Sequence, residues 1–129
     1  MLDASAFLAY LRGEPGAPLV REALQQGCAI SAANWAEVLS KVAEGGEDPV
    51  QTVELFERGG VLGQSLVVHP LDDTQALEIA RLRPLTREAG LSLGDRACLA
   101  LAASLALPVL TTDRAWSGLD LDLEVELVR

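Results

Sequence analysis

Ser92-Leu93-Gly94-Asp95-Arg96 leads directly into Ala97-Cys98-Leu99-Ala100-Leu101-Ala102-Ala103-Ser104-Leu105-Ala106-Leu107. A short polar stretch stands at the mouth of a helix that is apolar almost all round. Such a helix belongs inside a domain rather than on its surface. The reading therefore places Asp95 and Arg96 near the N-terminus of a buried helix, Leu93 to Leu107. Asp95 has an ordinary explanation. Ser92 as N-cap with an acid three residues on resembles a capping box, and acids favour the positive end of a helix. Three other acids, each at the edge of an apolar segment, open a second explanation.

Downstream, Pro108-Val109-Leu110-Thr111-Thr112-Asp113 reads as a strand with a polar end. Arg114 to Leu119 makes a short turn or helix. Leu123, Val125 and Leu127 then alternate with Glu124 and Glu126, the period of a half-exposed edge strand. Upstream, Asp72 caps a helix that Pro84 ends or kinks, and Leu66-Val67-Val68-His69 is a strand stopped by Pro70. Pro49 opens an amphipathic helix that closes at Gly59-Gly60. Ser31 caps a helix from Ala32 to Glu44, on which Trp35, Val38, Leu39 and Val42 form the core face. Cys28-Ala29-Ile30 is a short buried strand. Pro18 suits the first turn of a helix running to about Gln26. At the start, Met1-Leu2-Asp3-Ala4-Ser5 reads as a strand end turning into a helix, Ala6 to Arg12.

Strands thus alternate with helices, near residues 1–3, 28–30, 66–69, 108–112 and 123–128. Short apolar strands separated by helices are the mark of a parallel sheet covered on both faces. The expected fold is a three-layer α/β/α sandwich on a five-stranded parallel sheet. At 129 residues the chain is expected to form one domain, residues 1–129.

Bulk composition narrows the function. The chain is 50% apolar with a net charge of −9. Its longest apolar run is broken by Pro108, short of the roughly 20 residues a bilayer span needs. No basic segment precedes an apolar one at the start, so neither a secretory signal nor a membrane attachment is expected. Cys28 and Cys98 read as small buried hydrophobes in a reducing, cytoplasmic setting. His69 is the only histidine; with no Cys or His cluster around it, it reads as structural rather than as a zinc ligand. The acidic balance opposes binding of a polyanion, because non-specific affinity for nucleic acid comes from Lys and Arg. A nucleic-acid enzyme with this charge needs a local offset, and a divalent cation can supply it.

The acids can converge. In open α/β sheets the functional crevice lies beyond the carboxyl ends of the strands. Asp3 and Asp113 close two strands, while Glu37 and Asp95 lie in the early turns of helices that begin at the same edge. Ser5, Thr111 and Thr112 bring hydroxyls there. For Glu37 the plain alternative is an exposed pair with Lys41 at i,i+4. Clustered carboxylates raise one another's pKa or recruit cations. Oxygen donors without His or Cys suit Mg²⁺ or Mn²⁺. Such a site can activate water and stabilise charge on a phosphoryl oxygen.

Four segments carry a resemblance: Leu2-Asp3-Ala4-Ser5-Ala6, Ser31-Ala32-Ala33-Asn34-Trp35-Ala36-Glu37-Val38, Leu91 to Ala100, and Leu110-Thr111-Thr112-Asp113-Arg114-Ala115-Trp116. In this order and spacing the chain resembles PIN-domain ribonucleases, most of all the bacterial VapC-type toxins of toxin–antitoxin pairs. The resemblance implies Mg²⁺- or Mn²⁺-dependent endonucleolytic cleavage of RNA, a tRNA or an rRNA, by Asp3, Glu37, Asp95 and Asp113. It implies a homodimer and a cognate VapB-type antitoxin that presents a basic side chain to the acids. Asp3 and Asp95 are then the principal metal ligands. Glu37 holds or orients a water, and Asp113 completes the shell. Ser5 and Thr112 bond the carboxylates or the substrate phosphate, and Arg96 and Arg114 contact RNA or pair with the acids.

One departure from the family pattern is that only Met1 and Leu2 precede Asp3. The first strand is then short, and the α-amino group lies within about 7 Å of the Asp3 Cα by chain reach, where as a cation it competes with metal. Rival readings are a non-toxin RNA-processing PIN nuclease and a catalytically silent PIN-fold binding module. A phosphoacceptor receiver module needs a lysine near its phosphoryl group, and Lys41 is the only lysine. A dinucleotide enzyme needs a G-x-G-x-x-G after the first strand, which is missing.

Overall fold

The computed structural model describes residues 1–129. Elements follow the expected alternation. α1 (Ala4–Arg12) and α2 (Ala17–Gln26) precede β1 (Cys28–Ser31), α3 (Ala32–Glu44) and α4 (Pro49–Arg58). Then come β2 (Leu66–His69), α5 (Asp73–Thr86), α6 (Leu93–Leu105), β3 (Val109–Thr111), a 3-10 turn (Arg114–Gly118) and β4 (Val125–Leu127). No helix is long and apolar enough to cross a membrane.

The expected five-stranded sheet appears in a reduced form. Two parallel ladders are present, β1 with β2 and β3 with β4. Residues 1–3 lie between them. Leu2 N donates to Ala29 O at 2.9 Å, Leu110 N to Met1 O at 2.8 Å, and Asp3 N to Leu110 O at 3.2 Å. The segment makes a single bridge, Leu2 with Leu110, rather than a ladder. The reason is local: Asp3 already serves as the N-cap of α1, so the extended stretch ends there.

Alternation along these segments fills two apolar cores, because successive side chains of an extended chain point to opposite faces. Leu2 and Ile30 join Phe7, Val20, Leu24, Trp35, Val38 and Leu66, with Leu110 packed against them. Met1, Ala29 and Val109 join Leu91, Cys98, Leu99, Leu101, Ala102 and Trp116 on the other side.

Two helices depart from expectation. α6 ends at Leu105, with Ala106 in a left-handed C-cap at φ 53°, because the residue before Pro108 is pushed out of the helical region. Its burial is also partial: Ala97 to Ala102 are buried, whereas Leu93 and the last turn are exposed. α5 runs through Pro84 instead of stopping there. Proline removes the N–H that would bond the carbonyl four residues back, which is that of Ala80. Ala80 is exposed, so water can take over that bond.

Gly16 ties the C-terminal strand to the rest. Its φ is +99°, and a Cβ there would stand 2.5 Å from the Val128 carbonyl oxygen. Val128 N in turn donates to Thr111 O at 3.0 Å. Gly16→Ala is expected to cost more than the roughly 1–2 kcal/mol of a left-handed alanine alone, since backbone cannot move aside. The expected readout is a melting temperature at least about 5 °C lower; an unchanged one contradicts the close approach.

Candidate active site

Asp3 is the centre of the polar rim. It is 3% exposed, although Asp is almost never fully buried without a partner. Its partners are neutral. Ser5 Oγ lies 2.8 Å from both carboxylate oxygens. Ala6 N donates to Oδ1 at 2.8 Å and Thr111 Oγ1 donates to Oδ2 at 2.6 Å. Burial pushes the Asp3 carboxyl up to about 6; the bonds from Thr111, Ala6 and Ser5 pull it back, and the charge of Asp95 adds to the rise.

A second layer fixes these hydroxyls. Thr112 N donates to Ser5 Oγ at 3.0 Å, and Asp113 N donates to Thr111 Oγ1 at 3.1 Å. The end of β3 is thereby stitched to the start of α1. Asp113 caps the following 3-10 turn, accepting from Ala115 N at 2.9 Å, and is exposed.

Asp95 forms the full capping box with Ser92. Ser92 N donates to Asp95 Oδ2 at 2.9 Å, and Asp95 N donates to Ser92 Oγ at 3.2 Å. The plain explanation of Asp95 is therefore realised. It coexists with an effect on Asp3, whose carboxyl pKa the charge of Asp95 raises. Glu37 is exposed, and its Oε2 lies 3.4 Å from where a Cβ on Gly94 would sit. The alternative pair with Lys41 does not form; Lys41 bonds Glu44 instead, at 3.2 Å.

Asn34 links the same elements. It is 1% exposed. Its Oδ1 accepts from Ala4 N at 3.1 Å and its Nδ2 donates to Gly94 O at 2.9 Å.

The other expected residues are placed as follows. Thr112 contributes its backbone N–H rather than its hydroxyl, and Thr111 supplies the hydroxyl that reaches Asp3. Arg96 turns to α5, where its Nη1 donates to Ile79 O at 3.0 Å. Arg114 is exposed on the 3-10 turn. The α-amino group donates to Pro108 O at 2.9 Å, at the start of β3 rather than at its acidic end, and burial lowers its pKa. Sequence reasoning noticed the hydroxyl of Thr111 without giving it the bond to Asp3, and it passed over Asn34. The available signals were the inward register of Thr111, two residues after the buried Val109, and a polar residue beside Trp35 on a core helix.

Electrostatically the rim is uncompensated. The four salt bridges lie elsewhere, on Glu14, Glu44 and Glu78. As the side chains stand, no three carboxylates are grouped closely enough to ligate one ion. The donor set is oxygen throughout, and the buried charge of Asp3 faces hydroxyls and amides but no cationic side chain. A hard divalent cation fits such donors. Asp3 and Asp95 are the residues that could hold it, with Glu37 and Asp113 within the same rim.

Comparison with known proteins identifies the family and the fold. The family model described as PIN domain matches residues 1–120. Among solved structures, a toxin–antitoxin complex from Klebsiella pneumoniae is similar at a TM-score of 0.71 and 20% identity, covering 99% of this chain and 96% of that one. At that identity the likeness is one of fold. No curated protein matches the sequence significantly.

Proposed function

Because the chain belongs to the PIN-domain family, we propose that it is a metal-dependent endoribonuclease, the toxin of a VapBC-type toxin–antitoxin pair. The observation that carries this reading is Asp3: a carboxyl 3% exposed, held by Ser5, Thr111 and the Ala6 N–H, with no cationic side chain on it. All 129 residues form one PIN domain in this reading, with residues 1–3 as the middle strand of a five-stranded parallel sheet.

This reading assigns each residue a role. Asp3 and Asp95 would hold the cation, Mg²⁺ or Mn²⁺, which would supply charge to polarise a phosphoryl oxygen and acidify a water. Ser5 and Thr111 lock the Asp3 carboxylate in one orientation, so that its charge is directed before substrate arrives. Glu37, exposed at the rim, orients the attacking water and takes its proton. Asp113, at the end of β3, would complete the cation's ligand set. Arg114 is free to meet an RNA phosphate. The substrate is a tRNA or an rRNA in the cytoplasm. The partner is a VapB-type antitoxin that places a basic side chain among the acids, and the toxin works as a homodimer. The solved toxin–antitoxin complex that shares this fold supports the assignment.

Induced expression in a bacterial host tests this directly. Growth is expected to stop, with discrete tRNA or rRNA fragments accumulating, and Asp95→Asn is expected to do neither. The Asn side chain still accepts from Ser92 N, so the capping box survives the substitution. Normal growth and intact RNA with folded wild-type protein contradict the proposal.

A further inference from the structure

Asn34 lies on none of the acid positions, yet it touches the chain beside two of them. Ala4 directly follows Asp3, and Gly94 directly precedes Asp95. Asn34 accepts from the N–H of the first at 3.1 Å and donates to the carbonyl of the second at 2.9 Å. The partners are 30 and 60 residues away in sequence, so one side chain joins the first turns of α1 and α6. Glu37 follows three residues later on α3, one turn along the same side of the helix. Its carboxylate comes to rest against Gly94, where a Cβ would be 3.4 Å away.

We infer that Asn34 is a positioning residue that sets Asp3, Asp95 and Glu37 in register, so that Asp3 and Asp95 can meet on one cation with Glu37 facing it. The inference rests on the nuclease reading above. A carboxamide suits the task because it carries a donor and an acceptor on one rigid plane. Ala4 N belongs to the first turn of α1, where backbone N–H groups lack helical partners. Gly94 O belongs to the first turn of α6, where a carbonyl keeps a second lone pair for an outside donor. Serine is too short to reach both, and an apolar residue reaches neither. At 1% exposure Asn34 makes both bonds away from bulk water.

The test separates positioning from mere packing by reading metal affinity apart from stability. Mn²⁺ binding is followed by electron paramagnetic resonance on wild type, Asn34→Ala, Asn34→Ser and Leu24→Ala. Leu24 is a buried residue of α2, a helix that carries none of the acids. Leu24→Ala is expected to lower the melting temperature and leave Mn²⁺ affinity unchanged. Asn34→Ala is expected to weaken Mn²⁺ at least tenfold at a temperature where it is fully folded. Asn34→Ser, which can keep one of the two bonds, should fall between it and wild type, and serves alone if the alanine variant does not fold. A folded Asn34 variant that binds Mn²⁺ as wild type does overturns the inference and leaves the nuclease reading standing. A wild-type chain that binds no Mn²⁺ and cleaves no RNA overturns the nuclease reading, and the inference with it.

Discussion

Asp3→Asn is expected to abolish RNA cleavage and, in the metal-free protein, to raise stability at neutral pH. Both effects trace to the same carboxylate, which would hold the cation and whose buried charge costs the fold. The carboxyl is pushed up from 3.8 to about 6 because it is buried, with a smaller contribution from the charge of Asp95. Each pKa unit corresponds to about 1.4 kcal/mol between the two protonation states. The folded chain therefore holds the Asp3 proton through a window, about pH 4 to 6, in which the unfolded chain has released it. Stability from this group is fully present below about pH 4 and is lost as the pH rises through about 6. Above that window the ionised form costs the fold up to about 3 kcal/mol. Asparagine removes the charge and keeps an acceptor for Ala6 N. The hydroxyls of Ser5 and Thr111 rotate to face the new amide. The stability gap between Asp3→Asn and wild type should thus be small at pH 4 and grow to a plateau of about 1–3 kcal/mol above pH 6.5. Denaturant unfolding of both proteins across pH 4–8 measures it, and a gap independent of pH contradicts the account. Cleavage should fall at least about a thousandfold, some 4 kcal/mol of transition-state stabilisation.

Phe7→Ala is expected to give the largest loss of stability. Phe7 is fully buried, and its ring lies 5.6 Å from Trp35, 5.7 Å from Tyr10 and 5.8 Å from Phe56 between centroids. The rings of Trp35 and Phe56 meet it edge-on, the favoured geometry for aromatic pairs. Truncation leaves a cavity at the junction of α1, α3 and α4. Phenylalanine to alanine in a core costs about 3–5 kcal/mol, which lowers the melting temperature of a domain this size by about 10–20 °C. Leu55→Ala on the exposed side of α4, where Leu55 is 62% exposed, should cost less than about 0.5 kcal/mol. Equal losses at the two positions contradict the packing described here. Phe7 is one turn beyond Asp3, so the same ring that anchors the core anchors the start of α1 and the acid that caps it.

Much of this was legible from the order of residue types. Ser31, Asp72 and Ser92 read as N-caps because a short polar side chain before an apolar run has few other uses, and each one caps its helix. Asp3 and Asp113 read as strand ends, and both also cap the helix or turn that follows. What sequence could not show was tertiary. Thr111 and Thr112 are adjacent and alike, and only the register of β3 against the first residues decides which hydroxyl reaches Asp3. Pro84 stops most helices, but the exposed position of Ala80 lets α5 continue. The apolar face of α6 looked continuous through Leu107, yet nothing covers its last turn. The middle of the sheet shrank to one bridge because Asp3 serves the helix that follows it. Arg96 stands next to an acid in sequence, but one helical residue points away from the next, and its guanidinium goes to α5.

Cleavage by the purified chain, freed of any bound partner, bears most directly on the claim that this acidic rim is a metal nuclease. Total tRNA and rRNA are incubated with wild type and Asp95→Asn, each with Mg²⁺, with Mn²⁺ or with EDTA. Discrete fragments that require the metal and vanish with Asp95→Asn are the predicted result. Cleavage that persists in EDTA, or in the Asp95→Asn variant, contradicts it, as does intact RNA under both metals with a folded wild-type protein.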